Sequence, residues 1–299
     1  MRFQSILPRS AFRAFTSAGL ALLASALVLS GCEKASPAIA PTSVAASDAS
    51  PQLVSLFSAC TTKGNREDSK ASLGKFMATT NAWNPNAAAS FSECVKATYN
   101  NANGTVDAQI TWDVAGSNNQ VLSYPNFGYG WQVGTEQGST TRKLPVTVGA
   151  LGDLTASGKI DTVCAPGATC TMNTAFELLF SNTPTPTVWP PSAELMIWVQ
   201  ATCGSCNAGT LQGKVKIDGV DFDVYKGVVT PPTGTASWTY IAYVAQSTVT
   251  QFNFNLKNFV GDSVTRGYLK TSDYLAVVEL GTEITSGQGT TTIAGYGIR

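Results

Sequence analysis

The sequence predicts an all-β domain, and three observations carry that prediction. Gly, Thr, Ser and Asn are abundant, while stretches of helical period are scarce. Several short segments alternate apolar and polar residues with a period of two. Turn residues, among them Asp218-Gly219, stand between them. At 299 residues the chain is long enough for one large β domain or two ordinary domains, and for a sizeable core.

Each element has its own reason. From Thr105 to Val114, Val106, Ala108, Ile110, Trp112 and Val114 share one face and polar residues the other, which reads as a half-buried strand. Residues 116–119 form a turn. Val121 to Tyr124 begins a further strand that ends at Pro125. Phe127, Tyr129 and Trp131 then make an aromatic, glycine-rich patch, read either as packed loop or as a surface that stacks sugars. Asn173 to Phe180 is an apolar strand carrying Glu177. Ala193 to Val199, entered through Pro190 and Pro191, is a buried strand with Glu194, Met196 and Trp198 on one face and Leu195, Ile197 and Val199 on the other. Val215 and Ile217 pair through Asp218-Gly219 with Val220, Phe222 and Val224 as a hairpin. Trp238 to Val244 is another strand. Phe252, Leu256, Phe259 and Val260 recur at helical spacing and predict the one short helix. Tyr274 to Glu283 resumes the strand pattern, and parity puts Leu275, Val277, Glu279, Gly281 and Glu283 on one face, with Gly281 leaving room for something to approach closely. Thr290 to Ile298 is a last strand.

Composition removes several classes of function. Charged residues are 13% of the chain and balanced at 19 basic and 19 acidic, so no basic surface awaits nucleic acid. There is no histidine, which excludes Ser-His-Asp and Cys-His mechanisms and imidazole metal sites. No phosphate-binding loop or dinucleotide fingerprint is present, and neither metal nor cofactor is expected. Proton transfer would fall to Asp, Glu, Tyr, Lys or Cys.

Glu177, Glu194, Glu279 and Glu283 stand out because they interrupt apolar strands. A carboxylate in such surroundings is costly to ionise without partners. Taken alone, Glu194 reads equally well as a paired core acid or as a catalyst. Four such acids in a chain without histidine point to carboxylate-pair chemistry, of which glycoside hydrolysis is the obvious case.

The first 32 residues read as an address. Arg2, Arg9 and Arg13 precede an apolar run from Ala18 to Leu29, too short for an ordinary membrane span. Leu29-Ser30-Gly31-Cys32 resembles the lipobox of bacterial lipoproteins, which implies cleavage before Cys32 and lipidation of its thiol. Residues 33–55, rich in Ala, Ser, Pro and Thr, read as a flexible tether, and residues 56–299 as the domain. The expectation is a monomer held on the cell envelope by its lipid; Glu33 after the cysteine leans the resemblance toward the outer membrane. An exported domain can oxidise Cys60, Cys94, Cys164, Cys170, Cys203 and Cys206. Six cysteines allow 15 connectivities, and the sequence does not choose among them. Proximity favours Cys164–Cys170 and Cys203–Cys206, leaving Cys60–Cys94. The C-x-x-C spacing at Cys203 is read as a loop staple in preference to a redox or zinc motif.

Glu194-Leu-Met-Ile-Trp198, followed by Gly281-Thr282-Glu283, resembles glycoside hydrolase family 12, which contains endo-β-1,4-glucanases and xyloglucanases. Asn81-Ala-Trp83-Asn84, the segment from Val121 to Asn126 and Asn173-Thr-Ala-Phe-Glu177 fall in the family's order. The resemblance implies a β-jelly roll of two curved antiparallel sheets around an open polysaccharide cleft. It implies a retaining mechanism on a β-glucan, with Glu194 as nucleophile and Glu283 as general acid/base. It implies a supporting role for Glu177, hydrogen-bonded to the nucleophile at a position that is usually Asp. Trp83, Met196 and Trp198 would line the substrate path. The alternative is a non-catalytic carbohydrate-binding surface lipoprotein on the same fold. Ala193, Ile284-Thr285 and the Cys203 loop depart from the family pattern and bear on substrate preference.

Overall fold

The computed structural model describes residues 54–65, 69–117, 120–202, 208–230 and 236–299. The expected signal segment with Cys32, the tether as far as residue 53, and Cys203 and Cys206 lie outside the described residues. In chain order the strands are β1 (Val54–Thr62), β2 (Lys70–Leu73), β3 (Phe76–Thr79), β4 (Ser90–Asn100), β5 (Thr105–Ala115), β6 (Asn126–Gly130), β7 (Val146–Thr147), β8 (Thr155–Cys164), β9 (Thr171–Ser181), β10 (Ala193–Ala201), β11 (Thr210–Ile217), β12 (Val220–Val229), β13 (Trp238–Ala245), β14 (Gln251–Asn255) and β15 (Tyr274–Ile298). The helix α1 (Leu256–Thr265) is the one α-helix among the described residues.

The strands form two layers. One runs β1-β4-β5-β15-β8-β14, the other β2-β3-β6-β15-β9-β10-β13-β12-β11. β15 belongs to both: its first half pairs with β6 and β9, its second half with β5 and β8. The two strands expected at its ends are therefore one continuous strand. All pairings are antiparallel except β10 with β13, which run parallel. A parallel pair needs a long crossover, here the β11–β12 hairpin between them.

Between the layers lies the core. Phe176 meets Phe252 edge-on at 5.1 Å, and Phe222 meets Phe259 at 5.3 Å. The alternation read in β5 places Val106, Ile110, Trp112 and Val114 in this core. α1 is capped by Asn255, whose side chain accepts from the Lys257 N–H, and buries Leu256, Phe259 and Val260. The Asp218-Gly219 turn has positive φ at both residues (48° and 86°), the conformation a two-residue hairpin requires.

Four expectations change. Residues 121–125 make only an isolated bridge, Ser123 with Ile284, and the strand starts after Pro125 as β6. The aromatic patch is that strand: Phe127 and Tyr129 enter the core while Gly128 and Gly130 take the other face. Phe252 lies on β14, not on α1, because the chain stays extended along β8 until Asn255 caps the helix. Finally, the β15 register shifts between Leu275 and Val277. That bulge turns Leu275 into the core while Val277 faces outward with Leu179.

Cys60 and Cys94 are directly opposite on β1 and β4 and form a disulfide; Cys164 and Cys170 form another.

Candidate active site

The outward face of the second layer carries the acids. Strand parity sends Glu194, Met196 and Trp198 of β10 to this face, with Ala175 and Glu177 of β9 and Glu279 and Glu283 of β15. The pairing sets their levels. Met77, Gly128, Glu279, Glu177, Met196, Ala242 and Tyr225 form one row across seven strands. Glu194 is level with Leu179 and Val277 in the next row. Glu283 stands further along β15, opposite Asn173. Although Glu283 lies further along β15, its charge acts on Glu194 ahead of that of Glu279.

Among the described residues, each of the two end acids receives one hydrogen bond. The Trp238 indole N–H donates to Glu194 Oε2 at 2.6 Å. Trp189 packs edge-on against Trp238 at 5.6 Å and holds its ring. The Asn173 side-chain amide donates to Glu283 Oε2. Neither donor was singled out in the sequence, because both arrive from neighbouring strands: Trp238 from the parallel partner of β10, Asn173 from β9 opposite Glu283. No hydrogen bond joins Glu177 to Glu194 among the described residues; Glu177 is level with Met196 and meets Glu194 through charge.

Burial raises the pKa of all four acids. Glu194 is raised to about 7 by desolvation, opposed by the Trp238 N–H and reinforced by the charges of Glu283 and Glu279. Glu283 is raised to about 7 by desolvation against the Asn173 bond. Glu279 is raised to about 7 by desolvation, with Lys70 opposing. Glu177 is raised well above the usual carboxylate range, first by burial and then by the other three acids. Glu194, Glu177 and Glu283 each keep part of their surface open to solvent. The Tyr240 phenol, beside Glu194 in register, is pushed upward by burial and by the acids, which keeps it protonated.

The floor differs from expectation in two respects. Met196 and Trp198 are 2% and 3% exposed, packed with Trp238, Tyr240 and Ala242. They support the acids and offer a ligand little surface. The space expected over Gly281 is taken by the chain itself: a Cβ there would meet the Pro125 carbonyl at 2.3 Å and the Tyr124 ring at 2.9 Å. Trp83 is half-buried between β3 and residues 122–124, a segment that hydrogen-bonds Ile284 beside Glu283.

The sequence profile described as glycosyl hydrolase family 12 matches residues 74–299. The chain belongs to that family. This family 12 chain is a glycoside hydrolase. It is 29% identical over 232 residues to the xyloglucan-specific endo-β-1,4-glucanase A of Emericella nidulans, spanning 76% of this chain and 87% of that one. It is 28% identical to the inactive glycoside hydrolase XLP1 of Phytophthora nicotianae, over 75% of this chain and 85% of the other. Its fold matches the family 12 xyloglucanase of Bacillus licheniformis with a TM-score of 0.69 at 21% identity, covering 81% of this chain and 99% of that structure. The two-layer architecture is thus the family's jelly roll.

Proposed function

We propose that this family 12 chain is a retaining endo-β-1,4-glucanase, acting on cellulose-type glucan, xyloglucan or mixed-linkage glucan. Glu194 is the nucleophile and Glu283 the general acid/base. The observation that carries the assignment is the 2.6 Å bond from Trp238 to Glu194 within a face of four raised carboxyls. An N–H donor favours the ionised form a nucleophile needs. Glu283, raised by burial, keeps a proton to give the leaving oxygen as Glu194 attacks the anomeric carbon. Glu283 then takes a proton from the water that cleaves the glycosyl ester. Glu177 and Glu279 limit how many of the four ionise together.

Hydrolysis of carboxymethyl-cellulose, xyloglucan and mixed-linkage glucan by the domain, beside Glu194→Ala and Glu283→Ala, tests this. The expectation is loss of at least a thousandfold in either variant and a first product of retained anomeric configuration by NMR. Retention calls for carboxyls about 5–5.5 Å apart, and inversion about 6.5–9.5 Å. An inverted first product would overturn the retaining assignment. Binding without hydrolysis by wild type would instead place the chain with its inactive relative as a carbohydrate-binding protein.

The lipobox-like Leu29 to Cys32 supports export and envelope anchoring. Palmitate labelling that persists in Cys32→Ser would remove this part.

A further inference from the structure

Beside the acids, on the β6 side of β15, the outward face opens into a niche of about 10 Å³, room for one water or one hydroxyl. Asn126, Gly128, Gln132, Gln137, Thr140 and Glu279 are among its walls. Two of these walls present acceptors without donors. Glu279 is only 4% exposed; its carboxylate keeps a little contact with solvent, and no hydrogen bond from the described residues reaches it. Asn126 is 1% exposed; its Nδ2 donates to the Tyr124 carbonyl, and its Oδ1 has no partner. Asn126 Oδ1 is the buried unpaired acceptor of the two, while the Glu279 carboxylate is the one a donor arriving in the niche can reach. The nearest cation, Lys70, is engaged with Gln132 Oε1 at 3.3 Å.

Gly128 keeps the niche open. A Cβ at that position would sit 3.5 Å from both Glu279 Oε1 and Val277 Cγ2, in ordinary contact with each. The matching ligand is a neutral donor small enough for the space. A carboxylate wall repels anions, and the volume admits a hydroxyl or hydroxymethyl tip but no pyranose branch. Glu279 is level with Glu177 on the adjacent strand, and its charge reaches Glu194. Whatever the niche holds therefore lies close to the acids.

We propose that this niche is a hydroxyl-reading subsite, in which the Glu279 carboxylate accepts from a free hydroxyl of an unbranched glucosyl unit next to the catalytic pair. The inference rests on the glucanase reading above and adds a specificity-determining carboxylate to it.

Cellotetraose titrated by calorimetry into the Glu194→Ala protein tests it, with Glu279→Ala, Glu279→Gln or Gly128→Ala added. Loss of a hydrogen bond to a charged acceptor predicts about tenfold weaker binding, or more, for Glu279→Ala. Gly128→Ala fills the niche without backbone conflict and should weaken binding to a similar degree. Glu279→Gln keeps one acceptor oxygen and should lose less. With Glu194 intact, the same changes should raise KM for unbranched glucan about tenfold more than they lower kcat. Affinity and KM within twofold of the parent in both Glu279→Ala and Gly128→Ala would overturn the subsite while leaving the glucanase reading intact. A wild-type protein that hydrolyses no glucan, and a Glu194→Ala protein that binds none, would overturn both.

Discussion

At the scale of single residues, the Trp238 indole and the Asn173 amide make opposite predictions about the pH–rate profile. Each donates to a carboxylate and so favours its ionised form. Trp238→Phe removes the donor to Glu194, whose pKa then rises. The acid limb of kcat/KM should move up by about one unit, with roughly tenfold lower activity near pH 5. Asn173→Ala raises the pKa of Glu283 instead, so the basic limb should move up. Because the two acids feel each other's charge, the result that would contradict the assigned roles is a larger shift of the basic limb in Trp238→Phe or of the acid limb in Asn173→Ala. The acids themselves were legible in the sequence because they break an apolar pattern that must otherwise be satisfied. Their donors were not, since a hydrogen bond between strands 44 or 110 positions apart leaves no local pattern. The burial of Met196 and Trp198 was equally hidden: alternation names a face but not what covers it.

Among the elements, the contact of β15 with β6 and the residues before it is tightly constrained. Gly281→Ala would drive a Cβ to 2.3 Å from the Pro125 carbonyl. The two strands would have to part, at a cost of about 3 kcal/mol. Thermal unfolding should show a lowered Tm, and activity should fall because Gly281 lies between Glu279 and Glu283. A second prediction concerns Cys60–Cys94, which closes a span of 34 residues between β1 and β4. Reduction should cost about 3–4 kcal/mol by loss of chain constraint. Cys60→Ala with Cys94→Ala should lower the urea midpoint without changing the anomer of the product. Strands were legible where one face is polar, as in β5. β6 was misread because glycines replace polar residues on its outward face, so Phe127 and Tyr129 lack the usual contrast. The bulge after Leu275 was invisible because a one-residue slip inside an apolar run changes no residue type.

For the molecule as a whole, the raised carboxyls couple stability to pH. Glu194, Glu279 and Glu283 titrate near pH 7 when folded and near 4.3 when unfolded. The folded chain therefore holds more protons between these values, so their contribution is full below about pH 4.5 and is lost as pH rises through 7. Tm should be several degrees lower at pH 8 than at pH 5. Glu279→Gln, removing the most buried of the three, should recover on the order of 3 kcal/mol at the higher pH. A flat Tm across that range would contradict it. The double membership of β15 also bears on how the molecule assembles. This strand cannot zip until β5, β6, β8 and β9 are all in place, and it brings two of the four acids with it. Contacts between partners so far apart in sequence form late and slowly. A chain arrested before that step already possesses the Glu194 strand but lacks the proposed proton donor, Glu283. Catalytic competence should thus return only with the final kinetic phase of refolding, behind hydrophobic collapse, and incompletely folded molecules should be chemically silent toward glycans.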